Sequence, residues 1–217
     1  MILVPVKSLA NAKQRLAAVL DQPTRTMLAQ AMLFDVLETL HAWTNHPDIS
    51  IVTSDPFALD LGRQFKFQVI PDNTSRSETE AIDMATRFCE SRGVDSTLVI
   101  PGDIPLIQAC ELEKILECAP DHGSVLVPAA DGRGTNAAWR RPAGLFPLRF
   151  GNDSFKPHLT AARATHRPCV VLSLPGIALD IDNPDDLRQL AEAPGETRAQ
   201  QLARQLDLRD LPVAANE

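Results

Sequence analysis

The sequence has no tyrosine, only four cysteines and no apolar run near the ~20 residues that a membrane-spanning helix needs. None of the cysteines forms a CxxC pair or has a histidine at metal-ligand spacing, which argues against a zinc site. We interpret the four as small buried thiols in a reducing compartment: Cys89, Cys110, Cys118 and Cys169. The opening MILVPVKS is too short for a signal peptide and predicts a strand, so a cytoplasmic location is expected.

Positive charge is also scarce in this chain. With 21 Lys and Arg against 28 Asp and Glu, the formal net charge is −7. An acidic chain has no broad electrostatic reason to bind nucleic acid or an anionic membrane, so neither partner is expected. A small anion can still bind where a few cations converge. A homodimer is expected only because it is the commonest oligomeric state.

Two glycine-rich phosphate motifs are missing, since neither GxxxxGK[ST] nor GxGxxG occurs. The chain instead alternates short apolar runs with segments of helical periodicity. This pattern predicts an α/β fold, with a mostly parallel sheet, helices on both faces and a mixed edge formed by the later strands. At this length we expect a single domain over 1–217, with a C-terminal helix and tail over 191–217.

Strands and helices alternate along most of the chain. Predicted strands cover 2–6, 49–53, 67–70, 97–101, 124–128, 135–139 and 169–174. Predicted helices cover 11–20, 24–43, 56–64, 78–90, 108–119 and 154–164, and another starts at Asn183-Pro184. Ligands of such sheets bind outside the carboxyl ends of the strands, so the polar residues found there are the candidates for function.

Cations cluster after the first predicted strand. They are Lys7, Lys13 and Arg15. With Ser8, they form a cationic loop that could hold a triphosphate through side chains and backbone N–H groups. The alternative is a set of solvated surface charges. After the second strand, Ser54 and Asp55 are either nucleotide contacts or caps of the following helix.

Carboxylates follow two other segments. Asp103 comes after the apolar run of VIPGDIPLI, where Gly102 permits a close backbone approach. Asp180 and Asp182 stand two apart in ALDIDNPDDL, so on an extended segment they share a face. Oxygen ligands of this kind suit Mg²⁺. The alternatives are a simple turn at Asp103 and a helix cap at Asp182 or Asn183.

A second anion site is indicated between these segments. GRGTNAAW (132–139) and RFGNDSFKPHL (149–159) place glycine beside hydroxyl, amide and cationic groups, and Gly151 to Ser154 ends where a helix begins. The alternative is an ordinary turn at Gly134 and a helix cap at Ser154. His158 and His166 are predicted to lie on the surface of that helix. Trp43 and Trp139 are predicted to pack inside.

These motifs resemble those of the CofC/FbiD family of guanylyltransferases, which act in biosynthesis of the deazaflavin coenzyme F-420. The matching stretches run in family order over roughly residues 1 to 190: PVKSLANAKQRLA, VIPGDIPLI, GRGTNAA, FGNDSFKPHL and DIDNPDDL. The ordered set separates the chain from molybdopterin and sugar nucleotidyltransferases. Those usually open with a glycine-rich LAGGxxxRMG-type loop, which is missing here.

The resemblance implies a Rossmann-like nucleotidyltransferase fold of the GT-A type. It also implies that GTP and a phosphorylated three-carbon acid give a guanylyl-diphospho intermediate and pyrophosphate. The acid is 2-phospho-L-lactate, phosphoenolpyruvate or 3-phospho-D-glycerate in different members. Two other functions remain open: a nucleotidyltransferase for a sugar phosphate or molybdopterin, and a nucleotide-binding module without catalysis.

The resemblance also distributes roles among the candidates. Mg²⁺ is assigned to Asp103, Asp180 and Asp182. GTP is assigned to Lys7, Ser8, Lys13, Arg15, Ser54 and Asp55. The phosphate of the acid is assigned to Thr135, Gly151 and Ser154, and catalysis to Asp103, Lys13 and Arg15. The chain departs from the family at FGNDS, where many bacterial members read FGPGS-like, and at Ser77-Glu78-Thr79, where many read a GLN-type stretch.

Overall fold

A seven-stranded mixed sheet forms the centre of the computed structural model, which describes residues 1–73, 77–151 and 153–206. The strands are β1 (Ile2–Val6), β2 (Ile49–Thr53), β3 (Gln68–Pro71), β4 (Thr97–Val99), β5 (Gly123–Pro128), β6 (Thr135–Arg141) and β7 (Cys169–Val171). Their order in the sheet is β3-β2-β1-β4-β6-β5-β7. Strands β1 to β4 are parallel, β6 is antiparallel to β4 and β5, and β7 is parallel to β5. The predicted mostly parallel, mixed sheet is confirmed.

Helices cover both faces of this sheet, as predicted. They are α1 (Gln22–Ala42), α2 (Pro56–Phe65), α3 (Glu78–Ser91), α4 (Ala109–Glu117), α5 (Phe155–Ala164), α6 (Pro175–Ala178), α7 (Pro184–Glu192) and α8 (Arg198–Gln205). Successive side chains of a strand point to opposite faces. Ile2 and Val4 of β1 therefore join one core, with α1, α4, α7 and α8, while Leu3 joins the other, with α3 and α5.

The direction of β6 determines which residues meet at the edge of the sheet. Parallel strands β1 to β4 all end at one edge. Because β6 runs the opposite way beside β4, its first residue, Thr135, lies near that same edge. Strand β5 ends there too, since it is antiparallel to β6, and the connection between the two strands therefore lies at this edge. The edge thus collects residues from the ends of β1 to β5 and from the start of β6.

The helix predicted over 11–20 is wrong. The chain forms two short 3-10 turns instead, Leu9–Asn11 and Gln14–Leu16. Lys13 lies between them with φ 55° and ψ 45°, in the left-handed region, which a regular helix cannot include. The short helix α6 is missing from the prediction. The predicted C-terminal helix corresponds to α8, and the predicted tail from residue 207 onward lies outside the described residues.

Burial tests the packing predictions directly. Trp43 and Trp139 are buried, as predicted. Cys89 is buried too, but Cys110 is exposed, because the buried face of α4 is formed by its neighbours Glu111 and Leu112. The remaining two thiols are half-buried. Among the described residues, the helices include none that is long and apolar enough to cross a membrane.

Candidate active site at the strand ends

Two cavities open at this edge of the sheet, and both are lined by Glu78, Pro101 and Asp103. One, which we call the polar cavity, has a volume of about 310 Å³ and lies between the β5–β6 connection, the loop before α5 and the segment before α7. The other, the loop cavity, has a volume of about 260 Å³. It lies under the cationic loop and has apolar walls from β1 and α1.

The three candidate metal carboxylates come together in the polar cavity. Asp103 follows β4, and its backbone carbonyl accepts a hydrogen bond from Ile181 N–H at 3.2 Å, which ties the two segments together. Asn136 of β6 donates to Asp180 Oδ1 at 2.9 Å. Asn183 caps α7, so the side chain of Asp182 is left to face the cavity. The sequence pattern therefore predicted a cluster of carboxylates from two distant segments, those of Asp103 and of Asp180 and Asp182.

Lys13 lies inside this carboxylate cluster. Its Nζ is 2.6 Å from Asp103 Oδ2 and 2.9 Å from Asp182 Oδ1, and its side chain is only 7% exposed. Burial alone would lower the pKa of Lys13, but the charges of Asp103 and Asp182 outweigh burial and raise that pKa. Arg15 is more exposed and contacts Asp182 Oδ2 from outside at 3.1 Å. The left-handed backbone at Lys13 thus serves to deliver an ammonium group between two acids.

The electrostatics of the cluster suit a further cation. Burial, and then the charge of Asp103, raise the pKa of Asp180 to about 6. Carboxylate oxygens are hard ligands of the kind that Mg²⁺ takes, together with substrate phosphates. Among the described residues, however, no group of three His, Cys, Asp or Glu side chains is arranged to hold an ion. Lys13 neutralises two of the three acids, so the Mg²⁺ assignment stays a prediction.

The loop cavity contains part of the predicted GTP set. Lys7 and Ser8 line it together with Lys13. The Lys7 ammonium is paired with Asp72 Oδ2 at 2.5 Å, which connects the ends of β1 and β3. Positively charged groups and apolar walls in one cleft match the two parts of a nucleotide, its phosphates and its base.

Ser54 and Asp55 do not line either cavity. Asp55 Oδ1 accepts hydrogen bonds from the Phe57 and Ala58 N–H groups and caps α2. Its Oδ2 accepts from Leu9 N–H at 2.9 Å and so holds the start of the cationic loop. The cap interpretation of Asp55 is confirmed, because both carboxylate oxygens are engaged by backbone N–H groups.

The predicted phosphate residues line the polar cavity on the side of α5. Ser154 Oγ accepts a hydrogen bond from Thr135 N–H at 3.0 Å, and both residues are buried. Ser154 occupies the N-cap position of α5, but its side chain makes no cap hydrogen bond. Its hydroxyl therefore remains available to a ligand in the cavity. Gly151 has φ 132°, a conformation that favours glycine. Beside them, Asp153 forms an ion pair with Arg133, Oδ1 to Nε at 2.6 Å.

His158 is a correction to the sequence prediction, which placed it on the surface. It is 1% exposed, and its ring bonds Thr135 and the backbone of Arg149. Burial, and then the charge of Arg140, lower the pKa of His158 to about 4. A signal was present: His158 and Ala162 are four residues apart, which is the spacing of one buried helix face. His166 is exposed, as predicted.

Glu78 is a second residue that sequence reasoning missed as a site residue. It is the first residue of α3 and lies between the two cavities. Burial, and then the charge of Asp103, raise the pKa of Glu78 to about 7. Its carboxyl group is therefore an acid that is half protonated near neutral pH. No periodicity could have shown this, because the burial of Glu78 and the nearness of Asp103 both arise only when distant segments pack together.

Glu78→Gln should stabilise the ligand-free protein at pH 8 and have little effect at pH 4.5. Because the folded-state pKa is raised from 4.5 to about 7, the folded state binds the proton more tightly. The favourable contribution is complete below pH 4.5 and is lost as the pH rises through 7. The gain at pH 8 should approach ~2 to 3 kcal/mol. Urea unfolding at both pH values, without divalent ions, measures it.

Glu80→Gln is the matched control, since Glu80 is also in the first turn of α3 but is exposed. Both substitutions remove one negative charge near the helix N-terminus, which costs a few tenths of a kcal/mol. An equal effect of the two at pH 8 would contradict the environment described for Glu78.

Solved structures share the fold of this chain. A Desulfovibrio desulfuricans G20 structure assigned as a nucleotide-diphospho-sugar transferase superposes with a TM-score of 0.78 and 21% identity, covering 96% of each chain. A CMP:2-keto-3-deoxy-manno-octonic acid synthetase complexed with CTP superposes with a TM-score of 0.57 and 13% identity, covering 95% of this chain and 99% of the other. The mixed sheet and its flanking helices are therefore a fold that this chain shares with these two proteins.

The particular family follows from sequence similarity. The model of the family "Guanylyl transferase CofC like" matches residues 1–214, and the chain belongs to this family. A phosphoenolpyruvate guanylyltransferase of Roseiflexus castenholzii is 34% identical over 207 residues, 95% of each protein. A 3-phospho-D-glycerate guanylyltransferase of Colwellia psychrerythraea is 32% identical over 190 residues, 88% of this chain and 90% of the relative. The resemblance read from the motifs is thereby confirmed.

Proposed function

We propose that this protein transfers the guanylyl group of GTP to a phosphorylated three-carbon acid and releases pyrophosphate. The acid is phosphoenolpyruvate, 3-phospho-D-glycerate or 2-phospho-L-lactate, the substrates named for its relatives, and the product serves coenzyme F-420 biosynthesis. The observation that carries the proposal is the meeting of a cationic loop, a carboxylate cluster and a pair of buried hydroxyls at one sheet edge.

The two cavities suggest how the reactants are placed. GTP occupies the loop cavity, where Lys7, Ser8 and Lys13 face its phosphates. The acid occupies the polar cavity, with its phosphate on Thr135 and Ser154. Asp103 lines both cavities, which supports a placement with the α-phosphorus of GTP beside the phosphate of the acid.

The chemistry asks mainly for positioning and neutralisation of charge. A phosphate oxygen of the acid attacks the α-phosphorus of GTP, and the bond from that phosphorus to the bridging oxygen of pyrophosphate breaks. Because the attacking phosphate is already ionised, no general base is needed. Lys13 and Arg15 offset the repulsion between two anionic reactants.

We propose that Mg²⁺ binds at the same site. Asp103, Asp180 and Asp182 would hold it, and it would neutralise charge on the phosphate oxygens and on the departing pyrophosphate. The raised pKa of Asp180 supports this assignment, because an acid crowded by other acids gains most from a bound cation.

Incubation of the protein with GTP, Mg²⁺ and each acid in turn tests the proposal. We expect pyrophosphate release that depends on GTP, on one of the acids and on Mg²⁺, with a guanylyl-diphospho product seen by ³¹P NMR. Phosphoenolpyruvate is the first acid to try, because it is the named substrate of relatives that are 34% to 37% identical. Parallel arms replace GTP by CTP and the acid by a sugar phosphate or molybdopterin.

The arms separate the other functions. Turnover only with CTP or a sugar phosphate would identify a different nucleotidyltransferase. Stabilisation by GTP without turnover in any arm would identify a binding module. Either result would overturn the proposal.

A further inference from the structure

His158 does not line the polar cavity itself but contacts Thr135, which does. It belongs to α5, is 1% exposed, and its Nδ1 is 2.9 Å from Thr135 Oγ1. Its Nε2 accepts a hydrogen bond from Arg149 N–H at 2.7 Å. The edge of the ring also packs against Phe150. Both ring nitrogens are thus engaged, and a flipped ring would put carbon atoms against two polar groups.

These contacts determine the protonation state of the ring. A backbone N–H can only donate, so Nε2 of His158 must carry its lone pair. A neutral imidazole then has its hydrogen on Nδ1. Nδ1–H therefore donates to Thr135 Oγ1, and the hydroxyl oxygen acts as the acceptor.

The direction of this bond decides what Thr135 can offer a ligand. Its oxygen accepts from His158, so its own hydrogen must point elsewhere. Ser154 Oγ is in the same situation, because it accepts from Thr135 N–H. Among the described residues, neither hydroxyl donates to a protein acceptor. Both residues line the polar cavity, so two hydroxyl hydrogens are available there for an anion.

We propose that His158 is a positioning residue, which holds the Thr135 hydroxyl as a hydrogen-bond donor to the phosphate of the acid substrate. The inference rests on the proposed function and adds how one end of the substrate is recognised. A threonine hydroxyl without this partner can rotate and use its hydrogen elsewhere. A preorganised donor avoids that loss when the phosphate binds.

The neutral state of His158 supports the arrangement. Burial, and then the charge of Arg140, lower the pKa of His158 to about 4, so the ring is neutral near neutral pH. The Nδ1 donor and the Nε2 acceptor therefore coexist under the conditions of any assay near neutral pH.

Two substitutions separate the two sides of the ring. His158→Asn keeps an N–H donor near the position of Nδ1 but loses the acceptor for Arg149 N–H. His158→Gln keeps a polar atom near Nε2 but loses the donor to Thr135. We expect His158→Asn to keep the KM for the acid within ~3-fold of the wild type, and His158→Gln and His158→Ala to raise it roughly 5- to 10-fold. The KM for GTP should change less than ~2-fold in all three.

Thr135→Val combined with His158→Gln forms a double-mutant cycle that tests whether the two residues act together. If His158 acts through the Thr135 hydroxyl, His158→Gln should add less than ~2-fold to the acid KM once that hydroxyl is gone. A merely structural role predicts additive losses in the cycle, and equal damage from Asn and Gln. Either of those results would overturn the inference, and thermal unfolding of each variant identifies any that fail to fold.

The outcome for His158 is distinguishable from that of the proposed function. Binding of the acid can be measured by ³¹P line broadening. This measurement compares the affinities of the His158 variants for the acid without requiring turnover. Wild-type protein that binds the acid but does not turn over would overturn guanylyl transfer and leave the His158 comparison intact. Wild-type protein that binds none of the three acids would overturn both.

Discussion

Asp103→Asn should lower guanylyl transfer roughly 1,000-fold while the protein remains folded. Asp103 lies on the wall between the two cavities and orients Lys13 through a 2.6 Å contact. Asparagine keeps the size of the side chain and one oxygen acceptor, but it removes the negative charge that a cation needs. Steady-state pyrophosphate release, with the acid and GTP both saturating, measures the loss.

The same variant has a second expected readout, which is independent of activity. Burial, and then the charge of Asp103, raise the pKa of Asp180, so removal of that charge should lower the pKa of the Asp180 carboxyl. An NMR titration of the carboxyl carbon would follow it. Asp60→Asn is the control, because Asp60 is an exposed acid on α2 with a surface ion-pair partner, Arg63. Turnover above a tenth of wild type in Asp103→Asn would contradict the placement of the reaction.

Lys13→Met should lower turnover roughly 100-fold or more and should also destabilise the ligand-free protein by ~2 kcal/mol. Lys13 is the cation that neutralises Asp103 and Asp182, and methionine fills a similar volume without the charge. Removing it leaves two acids facing each other beside Asp180. The loss is smaller than for a fully buried pair, because the two acids are 32% and 36% exposed.

Mg²⁺ should partly restore the stability of Lys13→Met. With the ammonium group gone, the carboxylate cluster has unbalanced negative charge, so a divalent ion should raise the unfolding temperature of the variant more than that of the wild type. Thermal unfolding over a Mg²⁺ series makes the comparison. Lys114→Met is the control, since Lys114 is exposed on α4 and forms a surface ion pair with Glu117 at 3.3 Å. Equal Mg²⁺ responses of Lys13→Met and wild type would show that Lys13 and the ion do not share a site.

Much of the architecture could be predicted from the sequence. The apolar runs that became β1, β2 and β4 are flanked by polar residues, and strands buried on both faces have this form. Because ligands of such sheets bind outside the carboxyl ends of the strands, Asp103 was predicted as a site residue. The rule worked because parallel strands must end at one edge, wherever each lies in the chain.

The cationic loop shows where such reasoning ends. Apolar spacing over 11–20 favoured a helix, but the ammonium of Lys13 pairs with acids 90 and 169 residues away. Those pairs hold the backbone of Lys13 in a left-handed conformation, and no local propensity contains that information. The same limit explains why Glu78 was missed as a site residue, since its burial and its charged neighbours depend on distant segments.

Most of the strands and helices, the family and the acids Asp103, Asp180 and Asp182 could be predicted from the sequence, because periodicity and motifs are local properties. The direction of each strand and the surroundings of each side chain could not be predicted from it. Antiparallel β6 brings Thr135 to the edge where β4 ends, and burial makes His158 a neutral donor behind it. Charge from distant segments holds Lys13 among the acids. Burial, and then the charge of Asp103, raise the pKa of Glu78 to about 7. Hydrogen-bond direction and pKa depend on which groups meet after folding, and that is a property of the packed chain alone.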